Sequence, residues 1–131
     1  MREYPSDRVD VRSDTVTQPT TAMRKVMEVA VVGDDVLGDD PSVIELQNRL
    51  AKMFGKEAAL FVASGTMANA IALRTHTVPG DEIICDKTAH IYKYEGGGYA
   101  ALCGASISLV EGNGGLMTAD QVKKAIRKAE G

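Results

Sequence analysis

Apolar residues change their spacing once along this chain, near residue 57, and the change separates two kinds of predicted element. Before it the spacing is helical. Met23, Val26, Met27 and Ala30 follow Gln18-Pro19-Thr20-Thr21 at the i, i+3, i+4, i+7 positions of a short amphipathic helix. Gly33 to Asp40 then reads as a loop. Asp40-Pro41 supplies an N-cap and a first-turn proline ahead of Val43, Leu46, Leu50 and Met53, and Gly55 closes this second helix. Beyond it, short apolar runs alternate with helical stretches. The pattern predicts a buried strand over Ala58–Val62, a helix over Met67–His76, a strand over Glu82–Cys85, a partly helical crossover over His90–Leu102 and a strand over Ser106–Val110. Gly112-Asn113-Gly114-Gly115 is a turn, and Thr118 with Gln121 in capping-box spacing opens a last helix running to about Lys128. A βαβαβ succession implies parallel strands with right-handed crossovers, hence an α/β fold.

Size and charge narrow the reading. The 131 residues, 44% hydrophobic and 25% charged, suit one globular domain or part of one. We expect an arm and two helices over 1–57 and the first βαβαβα portion of a larger domain over 58–131. The chain stops at Glu130-Gly131 directly after a helix, where an α/β protein continues to another strand, so a sheet cut short after about three strands is expected. A net charge of -3 gives no broad basic field, against nucleic acid as the main partner. The first seven residues lack the apolar core of a signal peptide and no run approaches a membrane span, so a cytoplasmic location and no membrane partner are expected. Cys85 and Cys103 sit in apolar contexts without metal-ligand spacing and read as buried free thiols, with no metal site.

Candidate chemistry collects at the ends of the predicted strands. Ser64-Gly65-Thr66 joins a strand to a helix, where unpaired N–H groups, two hydroxyls and the helix dipole favour an anion; helix capping is the alternative. His90 follows the next strand at the same edge, in the crevice where open α/β sheets bind ligands. It is either a structural histidine or an imidazole that stacks on a flat ring or moves a proton. Tyr92 to Glu95 reads as a helix face, and Gly96-Gly97-Gly98 as a turn or a close backbone approach. Gly33 to Pro41 holds four carboxylates, but apolar residues and a glycine occupy the ligand positions of a calcium loop, leaving turn and N-cap roles. Arg12 to Thr17 reads as an extended polar segment, made of turn formers or reaching a site built by another part of the assembly.

Together these segments resemble the N-terminal part of the low-specificity L-threonine aldolases, enzymes of the aspartate-aminotransferase fold. The resemblance runs through Val11 to Thr17, Val32 to Val36, Gly38 to Pro41, Phe54 to Phe61, Ser64 to Asn69, and His90 with Tyr94-Glu95. It implies a three-layer αβα large domain, with pyridoxal 5'-phosphate as cofactor. It further implies cleavage of L-threonine or L-allo-threonine to glycine and acetaldehyde by a homo-oligomer, a dimer or tetramer. By resemblance, Gly65 and Thr66 with Ser64 bind the cofactor's phosphate. His90 stacks on its ring and serves acid–base work, and Ser13 lies near the substrate carboxylate. The family has a tyrosine where this chain has Leu37. Its cofactor-binding lysine, the aspartate for the ring nitrogen and the carboxylate-binding arginines belong to sequence beyond Gly131, so the segment alone is expected to be inactive. Two other readings remain open: a β-eliminating lyase or aminotransferase of the same fold, and a non-catalytic interaction module.

Overall fold

The computed structural model describes residues 9–127. They divide into two compact units, one ending at Phe61 and the other beginning at Val62.

The first unit opens with a 3-10 turn at Asp14–Val16, where an extended segment was predicted. Ser13 caps it, its Oγ accepting from the Thr15 N–H at 3.2 Å. A short polar side chain that bonds its own backbone favours a turn over extension. Helix α1 spans Thr21–Val29, capped by Thr20. Helix α2 spans Pro41–Phe54, with Asp40 as N-cap and Gly55 as a left-handed C-cap at φ 60°. Both ends follow from composition: proline needs no N–H in the first turn, and glycine alone adopts positive φ without strain. The Asp-rich loop between the helices is a set of turns. Asp40 accepts N–H groups from Gly33 and Val43, both at 2.9 Å. These two bonds, the Gly33 one foremost, hold the Asp40 carboxyl below the usual carboxylate range. Asp34 and Asp39 likewise take backbone N–H groups of their own loop.

The second unit is α/β. Helix α3 spans Gly65–His76, strand β1 Glu82–Asp86, helices α4 and α5 the single turns His90–Lys93 and Gly98–Ala101, strand β2 Ser106–Val110, and helix α6 Ala119–Ala125. β1 and β2 pair in parallel, from Glu82 opposite Ser106 to Asp86 opposite Val110. Their crossover runs through α4 and α5. Among the described residues, Cys85, Cys103, Ala105 and Val110 are the buried apolar ones. Both cysteines are free, and burial followed by the neighbouring Asp86 charge pushes the Cys85 thiol up, away from nucleophile chemistry.

Two further predicted elements differ. Residues Ala58–Val62 form no strand. A strand is defined by a ladder partner, and among the described residues β1 and β2 pair only with each other, while the Phe61 N–H donates to the Gln47 side chain. The last helix ends at Ala125: Ile126 leaves helical geometry, and Arg127 reaches Glu82 of β1 at 2.8 Å. Lys128, its predicted end, and Glu130-Gly131 lie outside the described residues, as do the first eight.

Candidate functional site

The second unit gathers the chemistry at the start of α3 and just past the end of β1. Ser64 is the N-cap of α3, its Oγ accepting from the Met67 N–H at 3.1 Å. Among the described residues the N–H groups of Gly65 and Thr66 have no acceptor. They are the first two donors of a three-turn helix and sit at the positive end of its dipole. A Cβ on Gly65 would meet nothing within 4 Å, so the side of the turn where its side chain would stand is open. A groove of about 590 Å³ is lined by Ser64 and Thr66 at the start of α3, by Met67, Ala70 and Ile71 further along it, and by Leu102.

His90 is positioned by a tie at the end of β1. Asp86 is buried; one of its oxygens takes the N–H and hydroxyl of Thr88, the other the N–H of Gly112. The Thr88 hydroxyl first, then the two N–H groups, hold the Asp86 carboxyl below its ordinary range. This clamp fixes the short turn that leads to His90, the first residue of α4, and joins it to the loop after β2. Lys87 and Glu111 pair across the same edge.

The imidazole of His90 does not stand alone. Its Nδ1 lies 2.7 Å from Glu95 Oε1, and the same oxygen accepts the Asn69 side-chain N–H at 2.6 Å. Asn69 belongs to α3, one turn beyond Gly65, about 6 Å along the axis. Hydrogen bonds from Asn69 first, then His90, hold the Glu95 carboxyl below the usual range. The Tyr94 ring packs against the imidazole, centroids 5.2 Å apart and tilted by 47°. The His90 side chain remains 63% exposed, so its ring is open to a ligand.

The structure thus brings Ser64, Gly65, Thr66 and His90 into one unit, joined through Asn69 and Glu95. Ser13 belongs to the first unit, exposed and bonded within its own turn. Sequence reasoning gave no role to Asn69 or Glu95. Tyr94 and Glu95 lie past the end of α4, not on a helix face as predicted. Gly96 and Gly97 form a turn with φ of 62° and 73°, and a Cβ at either would meet nothing within 4 Å, so the turn explains them and a close approach does not. A carboxylate five residues from a histidine, followed by a glycine run that can fold it back, is the signal available in the sequence.

A helix start open to anions, beside an exposed imidazole, at the carboxyl end of parallel strands is the ligand-site arrangement of α/β enzymes. The beta-eliminating lyase family model matches residues 10–131, and the chain belongs to that family, whose domain has the α/β fold of pyridoxal-phosphate-dependent transferases. Among curated proteins, low-specificity L-threonine aldolase 1 of Arabidopsis thaliana is 48% identical over 125 residues, covering 94% of this chain and 35% of the relative. The low specificity L-threonine aldolase of Escherichia coli (strain K12) is 52% identical over 94 residues, 72% of this chain and 28% of the relative. That of Saccharomyces cerevisiae is 43% identical over 123 residues, 92% and 32%. The chain spans about a third of the length of these relatives.

Proposed function

We propose that this chain supplies the phosphate cradle and the ring-facing histidine of a pyridoxal 5'-phosphate-dependent aldolase that cleaves L-threonine or L-allo-threonine to glycine and acetaldehyde. The observation that carries the reading is the pair of free N–H groups at Gly65 and Thr66, tied through Asn69 and Glu95 to the exposed imidazole of His90. Similarity to threonine aldolases supports the substrate class.

The residues fit the cofactor. A phosphate at the start of α3 would take the N–H groups of Gly65 and Thr66 and a hydroxyl proton from Ser64 or Thr66, all in the field of the helix dipole. Ser64 can serve because its Oγ spends only a lone pair on Met67. When bound, the cofactor supplies the electron sink that carbon–carbon cleavage requires. His90 would lie on the flat ring and hold a nitrogen ready for the substrate's β-hydroxyl proton. Ser13 would bind near the substrate carboxylate, and the cofactor-binding lysine would come from outside this segment, which alone would be inactive.

The arm and two helices over 1–57 and the portion over 58–131 are then parts of a cofactor-binding large domain in a homo-oligomer. Two free, buried thiols support a reducing, cytoplasmic setting. A second reading, a β-eliminating lyase or aminotransferase, is favoured by Leu37 standing where the aldolases carry a tyrosine; a non-catalytic interaction module is the third.

The test is the complete polypeptide carrying this segment, loaded with pyridoxal 5'-phosphate and offered L-threonine, L-allo-threonine and β-substituted amino acids in turn. Acetaldehyde from the β-hydroxy substrates is the expected result. Turnover of the β-substituted ones alone transfers the assignment to the lyase reading, and turnover of none supports the interaction module.

A further inference from the structure

We propose that Glu95 is a positioning residue for His90: anchored to α3 by Asn69, its carboxylate fixes the imidazole as the Nδ1–H tautomer and sets the ring's orientation, leaving Nε2 as the nitrogen presented to substrate. What Nε2 then does rests on the aldolase reading; the tautomer follows from the geometry of this chain.

Three observations carry it. First, the Glu95 side chain is 4% exposed while that of His90 is 63% exposed. The carboxylate is the fixed member of the pair and the imidazole the member that meets a ligand. Second, Asn69 and His90 both approach a single oxygen, Oε1, at 2.6 and 2.7 Å. An ionised carboxylate only accepts, so at this distance a neutral imidazole must place its proton on Nδ1, and its lone pair falls on Nε2. The downward shift of the Glu95 carboxyl keeps it a charged acceptor at neutral pH. Third, the chain is shaped to deliver this carboxylate. The left-handed Gly96-Gly97 turn follows Glu95 directly, and its anchor Asn69 sits one turn into the helix whose first turn is the anion cradle. Cradle and imidazole therefore share one reference frame. In the proposed reaction the β-hydroxyl O–H bond breaks and an Nε2–H bond forms, and the Glu95 charge stabilises the imidazolium that results.

A buried glutamate that merely ties two segments together would alter stability and nothing else. The test therefore reads the imidazole itself, in the complete polypeptide without cofactor and labelled with 15N-histidine, the His90 signal being assigned by its loss in His90→Gln. At a pH where the ring is neutral, His90 should appear as the Nδ1–H tautomer. Glu95→Ala should move it to a mixture or to Nε2–H. Asn69→Ala, which leaves Glu95 in place, should broaden or partly shift the signal. In the loaded enzyme Glu95→Ala should lower kcat for threonine about tenfold or more, with KM changed less than about twofold. Should Glu95→Ala fail to fold, Glu95→Gln and Asn69→Ala take its place: Gln can still accept at its oxygen but lacks the charge, so kcat falls while much of the tautomer preference remains. A folded Glu95→Ala that keeps the wild-type tautomer overturns the proposal, as do folded Glu95→Gln and Asn69→Ala variants that keep both the wild-type His90 signal and a kcat within about twofold. An Nδ1–H tautomer that depends on Glu95, in a protein that leaves threonine untouched, sinks the aldolase reading and keeps the positioning.

Discussion

Ser64 spends its one oxygen on two tasks, and they separate under mutation. As acceptor from Met67 it caps α3, and as donor it adds to the proposed cradle. Ser64→Ala should cost about 1 kcal/mol of stability through the lost cap. It should also weaken pyridoxal 5'-phosphate binding; titration followed by absorbance, beside a denaturant melt, separates the two losses. Ser64→Gly tests the split, since glycine caps almost as well by stability and lacks the hydroxyl. Asp86 carries a pH prediction. Its folded carboxyl lies below the ordinary 3.8, so the unfolded chain binds more protons and stability rises with pH through that range. The contribution is present above about 3.8 and is lost as pH falls through the lower folded value. Asp86→Asn should flatten the acid limb of a stability-versus-pH curve, and an unchanged limb would mean the clamp carries no linkage. At this scale the sequence made the helix-capping Ser-Gly-Thr turn and the position of His90 just after a strand readable, because both have local meanings. It did not expose the Asn69–Glu95 tie, because that depends on where a glycine turn folds a side chain.

Helix α2 shows how far local chemistry reaches. Both its ends were readable because aspartate, proline and glycine act through their own backbone: Asp40 accepts the Val43 N–H, and Gly55 takes a left-handed φ of 60°. Gly55→Ala should cost about 1–2 kcal/mol, the penalty of a Cβ in that conformation, seen as a lower thermal midpoint with α2 fraying at its C-terminal turn. The space around Gly55 is empty, so the loss is conformational and not steric. Gly112 is the opposite case: a Cβ there would lie 2.5 Å from the Leu116 carbonyl oxygen and 2.6 Å from Asp86 Oδ2, so alanine would break the clamp under His90. The paired strands were also legible, with β2 predicted over its observed span. Ala58–Val62 was not, because apolar composition proposes a strand while a partner's backbone makes one. The end of α6 failed similarly: the pairing of Arg127 with Glu82 is a tertiary contact that no periodicity announces.

On the scale of the whole molecule, apolar exposure sets the expectation. Val26 and Met27 on α1, Phe54 at the end of α2 and Leu102 after α5 are 67%, 63%, 70% and 66% exposed. Met23, Val26 and Met27 of the predicted stripe lie on α1 and are exposed among the described residues, a state in which apolar faces associate with other surfaces. Since the chain spans about a third of its relatives' length, the proposed aldolase needs further polypeptide both to cover these faces and to supply an activated lysine. Lys87, close to His90 in sequence, is half exposed and its ammonium is already engaged by Glu111. Two outcomes follow for the isolated 131-residue chain and the complete polypeptide, each treated with pyridoxal 5'-phosphate and borohydride and weighed intact after denaturation. The isolated chain should bind an apolar dye, run larger than a monomer by light scattering, and keep its mass of 13.9 kDa without a specific adduct. The complete polypeptide should gain one cofactor per chain on a single lysine. A specific adduct on Lys87 or Lys93 of the isolated chain would instead locate the covalent chemistry in this segment and overturn the assignment of that lysine to the remaining two thirds.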